Sequence, residues 1–228
     1  MWSVTVFDKR AEEYDLWFEE NELILHAEVN ALRAFIPPNG IGLEVGVGTG
    51  RFAASLGVEV GIDPARRTLQ IARARGIKVC QAFGERLPFE ASYFDYALLV
   101  TVDPFVHDVA CLFNEIWRVL KPSCSLILGM IDKSSPLGQM YETHKDEDPF
   151  YKEARFHTTD EVIAYLEQAG FKVIHASQTI TGTPDTTAST EQVQGGYAID
   201  SLQIQDGYGK GAFVALNAEK TTTRSIKT

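Results

Sequence analysis

The chain has 228 residues, 45% of them hydrophobic and 23% charged, a balance that supports one substantial buried core and excludes global disorder. Its net charge of −10 argues against broad nucleic-acid binding, which needs a basic footprint. No apolar run reaches the roughly 18 residues of a membrane span, so no membrane association is expected.

The first thirty-five residues read as helical, with Ala11, Tyr14, Leu16, Trp17 and Phe18 as one apolar-aromatic patch and Asn21 placed to cap a second helix through Leu23, Ile24, Ala27, Ala31 and Leu32. Asp8, Lys9, Arg10, Glu12 and Glu13 make this stretch too charged for a secretory signal. Pro37-Pro38-Asn39-Gly40 turns the chain. Strand and helix then alternate: a strand over Ile41–Val45, a helix over Arg51–Leu56, a strand over Val58–Ile62, and a helix over Pro64–Arg75 with proline first and Gly76 just past its end. Arg66, Arg67, Arg73 and Arg75 read as the solvated face of that helix. Ile77–Cys80 is a third strand, and the unbroken apolar run Tyr96–Val100 suits a strand buried on both faces. Asp108 opens a helix that ends at Lys121-Pro122, and Ser125–Ile131 is a fifth strand.

This order implies a mostly parallel sheet covered on both faces, with a ligand outside the carboxyl ends of its strands. Residues 132–157 break the pattern with Gly, Pro, charges and the aromatics Tyr141, Phe150, Tyr151 and Phe156. Thr158-Thr159-Asp160-Glu161 is a capping box, and Gly170 ends its helix. Lys172–Thr181 and Gly211–Asn217 read as the last strands, joined by a long polar loop into an antiparallel edge.

Chemistry concentrates in Leu43-Glu44-Val45-Gly46-Val47-Gly48-Thr49-Gly50, a glycine loop between a strand and a helix. Such a loop lets a ligand approach the backbone. A dinucleotide fingerprint needs glycine where Arg51 stands, and a phosphate-cradling loop needs Gly-Lys-Ser/Thr, which is absent. Glu44 would repel a pyrophosphate but attract an ammonium group. Asp63, nineteen residues further on at a strand end, can accept both hydroxyls of a ribose, cap the following helix, or do both.

These residues resemble class I S-adenosylmethionine-dependent methyltransferases, of the ubiquinone- and menaquinone-biosynthesis-like (type 11) group. The resemblance extends over nearly the whole chain: Leu43 to Phe52, Val60-Gly61-Ile62-Asp63-Pro64, Gly84-Glu85-Arg86-Leu87-Pro88-Phe89 with Tyr93-Phe94-Asp95, and Glu115-Ile116-Trp117-Arg118-Val119-Leu120-Lys121-Pro122 follow in family order. It implies an α/β, Rossmann-like fold: a seven-stranded, mostly parallel sheet with helices on both faces and the last strand antiparallel. It also implies one methyltransferase domain over 1–228, with a helical cap over 1–36, a variable substrate-side insertion over 132–157 and a flexible tail over 219–228. Two positions depart from the family. Phe83 replaces an acidic residue that often accepts from adenine, and Ser123-Cys124 replace two glycines at a turn.

The implied cofactor is S-adenosylmethionine, leaving as S-adenosylhomocysteine. Glu44 would face its ammonium, and Gly46, Val47 and Gly48 its backbone-side surface. Asp63 and Pro64 would hold the ribose, while Phe83, Gly84 and Glu85 line the adenine. Val100 and Thr101 complete the set, and Tyr14, with Trp17, would close over the methionine end. No single catalytic group is readable. The candidates follow the fourth strand: Thr101, His107 as a general base near neutral pH, and Asp103, although His107 also reads as an exposed residue beside a helix start and Asp103-Pro104 as a turn. His144 and His157 lie in the variable region. The five histidines show no HxxxH spacing, so no metal is expected. Cys80, Cys111 and Cys124, odd in number and without a CxxC pair, suit a reducing, cytoplasmic compartment.

The partner is expected to be a small-molecule acceptor, selected by the N-terminal aromatics and the 132–157 segment. Two rival readings are a non-catalytic protein that retains the cofactor pocket and an NAD-dependent oxidoreductase on a similar fold.

Overall fold

The computed structural model describes residues 2–181, 193–194 and 197–221. Three helices come first: α1 (Trp2–Lys9), α2 (Ala11–Glu20) and α3 (Glu22–Arg33). The aromatic patch expected on α2 is split by helical geometry. Ala11, Tyr14 and Phe18 share the inward face, whereas Leu16 and Trp17 point outward and are 49% and 39% exposed. Asn21 does not cap α3 with its side chain; its amide donates instead to the Trp17 carbonyl at 2.9 Å and so closes α2.

Then follow β1 (Gly42–Val45), α4 (Arg51–Leu56), β2 (Val60–Asp63), α5 (Arg66–Ala74), β3 (Lys78–Gln81), β4 (Phe94–Val100), α6 (Val109–Val119) and β5 (Leu120–Ile131). Helix α5 starts two residues later than the proline suggests. The Asp63 carboxylate accepts the Ala65 N–H at 2.7 Å, which holds Ala65 extended and delays the first helical turn. Asp108 caps α6 through the Cys111 N–H at 2.8 Å. Ser123 has φ +57, so the turn that the family fills with glycine is made here by a serine in the left-handed region.

Residues 132–157 contain α7 (Pro136–His144), opened by Ser135, whose hydroxyl accepts the Gly138 N–H at 3.0 Å. A Cβ at Gly138 would lie 2.1 Å from the Asp132 carbonyl oxygen, so the close return of this segment requires glycine. Helix α8 (Thr159–Ala169) has the expected capping box, with Gly170 at φ +93 behind it.

Strand β6 (Phe171–Thr181) precedes the two-residue strands β7 (Val193–Gln194), β8 (Tyr197–Ala198) and β9 (Gln205–Asp206), and β10 (Gly211–Lys220) follows. Among the described residues the main sheet has eight strands in the order β3-β2-β1-β4-β5-β10-β6-β9, and β7 pairs with β8 apart from it. The last long strand is therefore not at an edge: β10 runs antiparallel between β5 and β6. Its residues Ala212 to Leu216 are wholly buried, as a strand covered on both faces demands. Glu219 and Lys220, placed in the tail from sequence, belong to this strand, and the Lys220 ammonium donates to the Leu120 carbonyl at 2.6 Å. Residues 222–228 of that tail lie outside the described residues.

Alternation along the strands divides the core. Tyr96, Leu98 and Val100 face the cluster with α3, α4 and α5, and Ala97 and Leu99 face the cluster with α6 and α8. Each face buries apolar side chains at about 25 cal/mol per Å² removed from water, which leaves only the strand ends open to a ligand.

Candidate cofactor and acceptor site

The order β3-β2-β1-β4 reverses direction between β1 and β4, the place where an open α/β sheet offers a crevice at its carboxyl edge. A cavity of about 820 Å³ of empty space, open to solvent, occupies it. Three strands contribute their last residues to its lining: Val45 and Gly46 at the end of β1, Ile62 and Asp63 from β2, and Val100, Thr101 and Val102 at the end of β4.

The start of the glycine loop is held by hydrogen bonds from the Gly46 and Val47 N–H groups to the Ile62 carbonyl, both at 2.8 Å. Gly46 has φ +75, and a Cβ there would lie 2.3 Å from Val102 Cγ2. A side chain at this position is excluded both by its backbone and by its neighbour. Gly48 lines the cavity, and Val47 does not: its side chain packs into the core against Gly61.

Two carboxylates flank the loop. Glu44 is only 1% exposed, and its Oε2 has no hydrogen-bond partner among the described residues. Burial pushes its carboxyl well above the usual range, against a hydrogen bond from the Ala53 N–H and with the help of the nearby Asp63 charge. Asp63 accepts the Gly48 N–H at 3.0 Å through Oδ2 and the Ala65 N–H at 2.7 Å through Oδ1. It thus ties the loop to the start of α5 while lining the cavity. Burial raises it to about 6, the two backbone bonds opposing. Among the described residues neither carboxylate is paired with a cation of the protein. A buried, uncompensated carboxylate is costly, and the pair suits a ligand that brings positive charge and hydroxyl donors.

Phe83, Gly84 and Glu85 line the wall next to β3, with Phe83 half exposed. Glu85 also accepts the His107 N–H at 2.9 Å, so the rim of the cavity is closed by its own residues. Thr101 has φ +51 and donates its N–H to the Gly129 carbonyl at 2.7 Å. A β-branched residue in this region is strained, and such strain concentrates where a strand end must aim at a ligand. Of the catalytic candidates, Thr101 and His107 reach the cavity and Asp103 does not. Asp103 is buried and bonded to His157 Nδ1 at 3.1 Å. This pair fastens the 132–157 segment to the end of β4, so the two residues that sequence places in separate regions share one structural task.

Above the cavity lie the rings. Phe7 contacts Tyr14 and Phe105 with centroids 5.1 and 5.2 Å apart, and Phe150 lies 5.3 Å from Phe7 and 5.8 Å from Tyr14. Tyr14 forms part of the lining as expected, whereas Trp17, turned outward, does not. Pro64, as expected, and Ala65 also line it; Val4, Phe7, Thr68, Phe105 and Val106 complete the lining and carry no distinguishing signal in the sequence. Only the approach of α1 to the strand ends makes Phe7 a wall residue.

What holds α1 and α2 over the cavity is a set of ion pairs. Arg51 grips Asp15 with Nε to Oδ1 at 2.9 Å and Nη2 to Oδ2 at 2.8 Å, and reaches Glu19 at 2.8 Å. Arg75 donates to the same Asp15 Oδ2 at 2.7 Å and to the Thr49 carbonyl at 2.7 Å. Burial opposes ionisation of Asp15, but the two guanidinium groups outweigh it and hold its pKa at about 2. Arg67 pairs with Glu12, and its N–H meets Asp8 at 2.7 Å. The arginine-rich face of α5 is thus partly a docking strip for the acidic N-terminal helices, which corrects its reading as a solvated face; Arg66 and Arg73 remain exposed. Arg51→Ala is expected to lose about 1.5–3 kcal/mol, the usual worth of hydrogen bonds to a charged group. Urea denaturation, together with faster proteolysis within residues 2–20, would measure it.

Comparison with known proteins agrees with this geometry. Residues 43–128 match the family model described as a methyltransferase domain. A protein of Methanocaldococcus jannaschii described as uncharacterized is 45% identical over 217 residues, covering 95% of this chain and 100% of its own. The crystal structure of an S-adenosylmethionine-dependent methyltransferase of Thermotoga maritima, described as a possible histamine N-methyltransferase, superposes with a TM-score of 0.85 at 36% identity, covering 97% of this chain and 100% of that one. A Haloferax volcanii putative methyltransferase solved in complex with the activator Trm112 shares the fold at a TM-score of 0.70 and 16% identity, over 94% and 97% of the two chains. These relationships place the chain with methyltransferases and not with oxidoreductases. The chain belongs to the S-adenosylmethionine-dependent methyltransferases.

Proposed function

We propose that this enzyme transfers a methyl group to a small-molecule acceptor by in-line displacement inside the cavity at the carboxyl edge. One observation carries the reading. The buried Glu44 and the half-buried Asp63, neither paired with a cation among the described residues, flank a glycine loop whose Gly46 leaves no room for a side chain. When bound, S-adenosylmethionine supplies an activated methyl on a sulfonium centre. Glu44 takes the ammonium end, where its orphaned Oε2 gains a charged donor. Gly46 and Gly48 let the ligand lie on the backbone. Asp63, already preset by the Gly48 and Ala65 N–H groups, uses its remaining acceptor capacity on the ribose hydroxyls. Pro64 would help hold the ribose, Phe83–Glu85 would line the base, Val100 and Thr101 would complete the set, and Tyr14 would close over the methionine end; all of them line the cavity. Phe83 can offer only its ring, so the adenine is packed rather than held by a carboxylate at that position.

The protein's main task is alignment and exclusion of water, which can supply up to roughly 7–11 kcal/mol. The aromatic wall does both. No strong base is assigned; His107 supplies an imidazole to the lining at its rim, the side-chain chemistry best suited to that role. The aromatic lining of the space supports a small acceptor over a macromolecule, and the net charge of −10 speaks against nucleic acid. The cytoplasm is the proposed compartment, on three cysteines that are all free; no described helix is long and apolar enough to cross a membrane.

Thermal denaturation with S-adenosylhomocysteine and with NAD tests the cofactor. A rise in Tm with the former and none with the latter is expected, and stabilisation by NAD alone would overturn the proposal.

A further inference from the structure

Helix α3 carries one ionisable side chain on its buried face. Glu28 sits among Leu25, Val29, Ala31 and Leu32 and is only 7% exposed. Among the described residues neither a hydrogen-bond donor nor a cation of the protein meets its carboxylate. It is not remote from the site. Tyr14 and Tyr151 pack against the core cluster that holds Leu25, Val29, Ala31 and Leu32, the helix neighbours of Glu28, and burial together with the Glu28 charge raises both phenols. Tyr14 lines the cavity directly. Tyr151 stacks on Phe105, a lining residue, at 6.0 Å, and on Tyr141 at 4.7 Å. Glu28 therefore stands beside the ring wall, close to the two tyrosines that join the cofactor end to the 132–157 segment.

The balance of charge is what makes this carboxylate informative. In the proposed function, the cofactor's ammonium is matched to Glu44 and its ribose to Asp63, which leaves Glu28 with no partner among the described residues. A buried carboxyl without a partner is expensive and is not needed for packing, since a leucine would fill the same helix face. Aromatic rings beside a carboxylate are the setting in which a protonated amine is best recognised: the carboxylate supplies the countercharge and the ring faces supply cation–π attraction.

We propose that Glu28 is a specificity-determining residue that binds the cationic nitrogen of an amine acceptor, with Tyr14 and Tyr151 as the flanking rings. This rests on the reading of the cavity as a methyl-transfer site for small molecules. Burial raises the free Glu28 carboxyl to about 8, so its charge develops fully as the cation arrives. A neutral alcohol of the same shape finds only a poorly charged acceptor and gains less.

The test uses the whole chain saturated with S-adenosylhomocysteine. Titration calorimetry compares phenethylamine, tryptamine and benzylamine with their neutral alcohol counterparts, in the wild type and in Glu28→Gln and Glu28→Met. The wild type is expected to bind at least one amine tenfold or more tightly than its alcohol, about 1.4 kcal/mol. Both variants should lose that preference while binding S-adenosylhomocysteine as the wild type does. No preference for any amine in the wild type, or a preference that survives in both variants, overturns the inference and leaves the methyl-transfer reading standing. Failure of the wild type to bind S-adenosylhomocysteine at all overturns both.

Discussion

Asp63→Ala is expected to weaken S-adenosylhomocysteine binding at least tenfold, about 1.4 kcal/mol or more. Two losses combine in this one substitution. The ribose would lose its charged acceptor, and charge-assisted hydrogen bonds are the stronger kind. The glycine loop would also lose its tie, because the same carboxylate holds the Gly48 N–H at 3.0 Å and the Ala65 N–H at 2.7 Å. A buried donor left without its acceptor carries a cost of about 1–3 kcal/mol, so a fall in Tm of the free protein should accompany the weaker binding. Asp63→Asn separates the two effects, since its amide oxygen can keep one backbone bond while the charge is gone. Calorimetry that returned an unchanged affinity for Asp63→Ala would refute the ribose assignment.

Stability of the cofactor-free enzyme should decline as pH rises from about 5 to 8. Burial raises Glu28 to about 8 and Asp63 to about 6, and Glu44 is raised by the same cause. In this window the folded protein binds more protons than the unfolded chain, so the slope of unfolding free energy with pH is negative. The carboxylates whose pKa is lowered by arginine or lysine partners, Asp15 and Glu115 among them, give the opposite slope. Their contribution is complete once the pH exceeds the unfolded carboxylate values, and so falls below this window. A pKa difference of one between folded and unfolded chain is worth about 1.4 kcal/mol, and the expected loss from pH 5 to 8 is on the order of 3–5 kcal/mol. The phenols of Tyr14 and Tyr151 are raised by burial and do not titrate there. Urea denaturation at pH 5, 6.5 and 8 measures the decline, and Glu28→Gln should flatten it. A midpoint that rises over this range would refute the account. A cationic ligand favours the ionised carboxylates, so stabilisation by S-adenosylmethionine should be larger at pH 8 than at pH 5.

These expectations combine residues that the sequence marks very unequally. Glu44, Gly46, Gly48 and Asp63 are legible because each rule behind them is local: glycine permits φ of +75 and +50, and an acidic residue at a strand end faces whatever lies at the carboxyl edge. Arg51 is legible only as a residue out of place in a dinucleotide fingerprint. Its actual work, gripping Asp15 on α2, joins positions that no local pattern connects. Phe7 became a wall residue, and Trp17 did not, because α1 and α2 settle on α5 in one particular rotation; Phe105 joins the wall from the turn that follows β4. Asp103 and His157 look like separate candidates in the sequence and are one bonded, part-buried pair in the fold.

Sequence by itself determined the alternation of strands and helices through β5, the α6 cap at Asp108, the capping box of α8, and the position of the glycine loop with its two carboxylates. Each depends on the backbone preferences of a few neighbouring residues, and those are written in order along the chain. Tertiary structure alone decided that β10 enters between β5 and β6, that Arg67 on α5 and Arg75 at its end dock the acidic N-terminal helices, and that Glu28 stands beside Tyr14 and Tyr151. The apolar run from Ala212 to Leu216 signals a strand buried on both faces, but which neighbours bury it is a matter of long-range pairing. A carboxylate on a helix likewise shows nothing of its burial until the rest of the chain has packed around it.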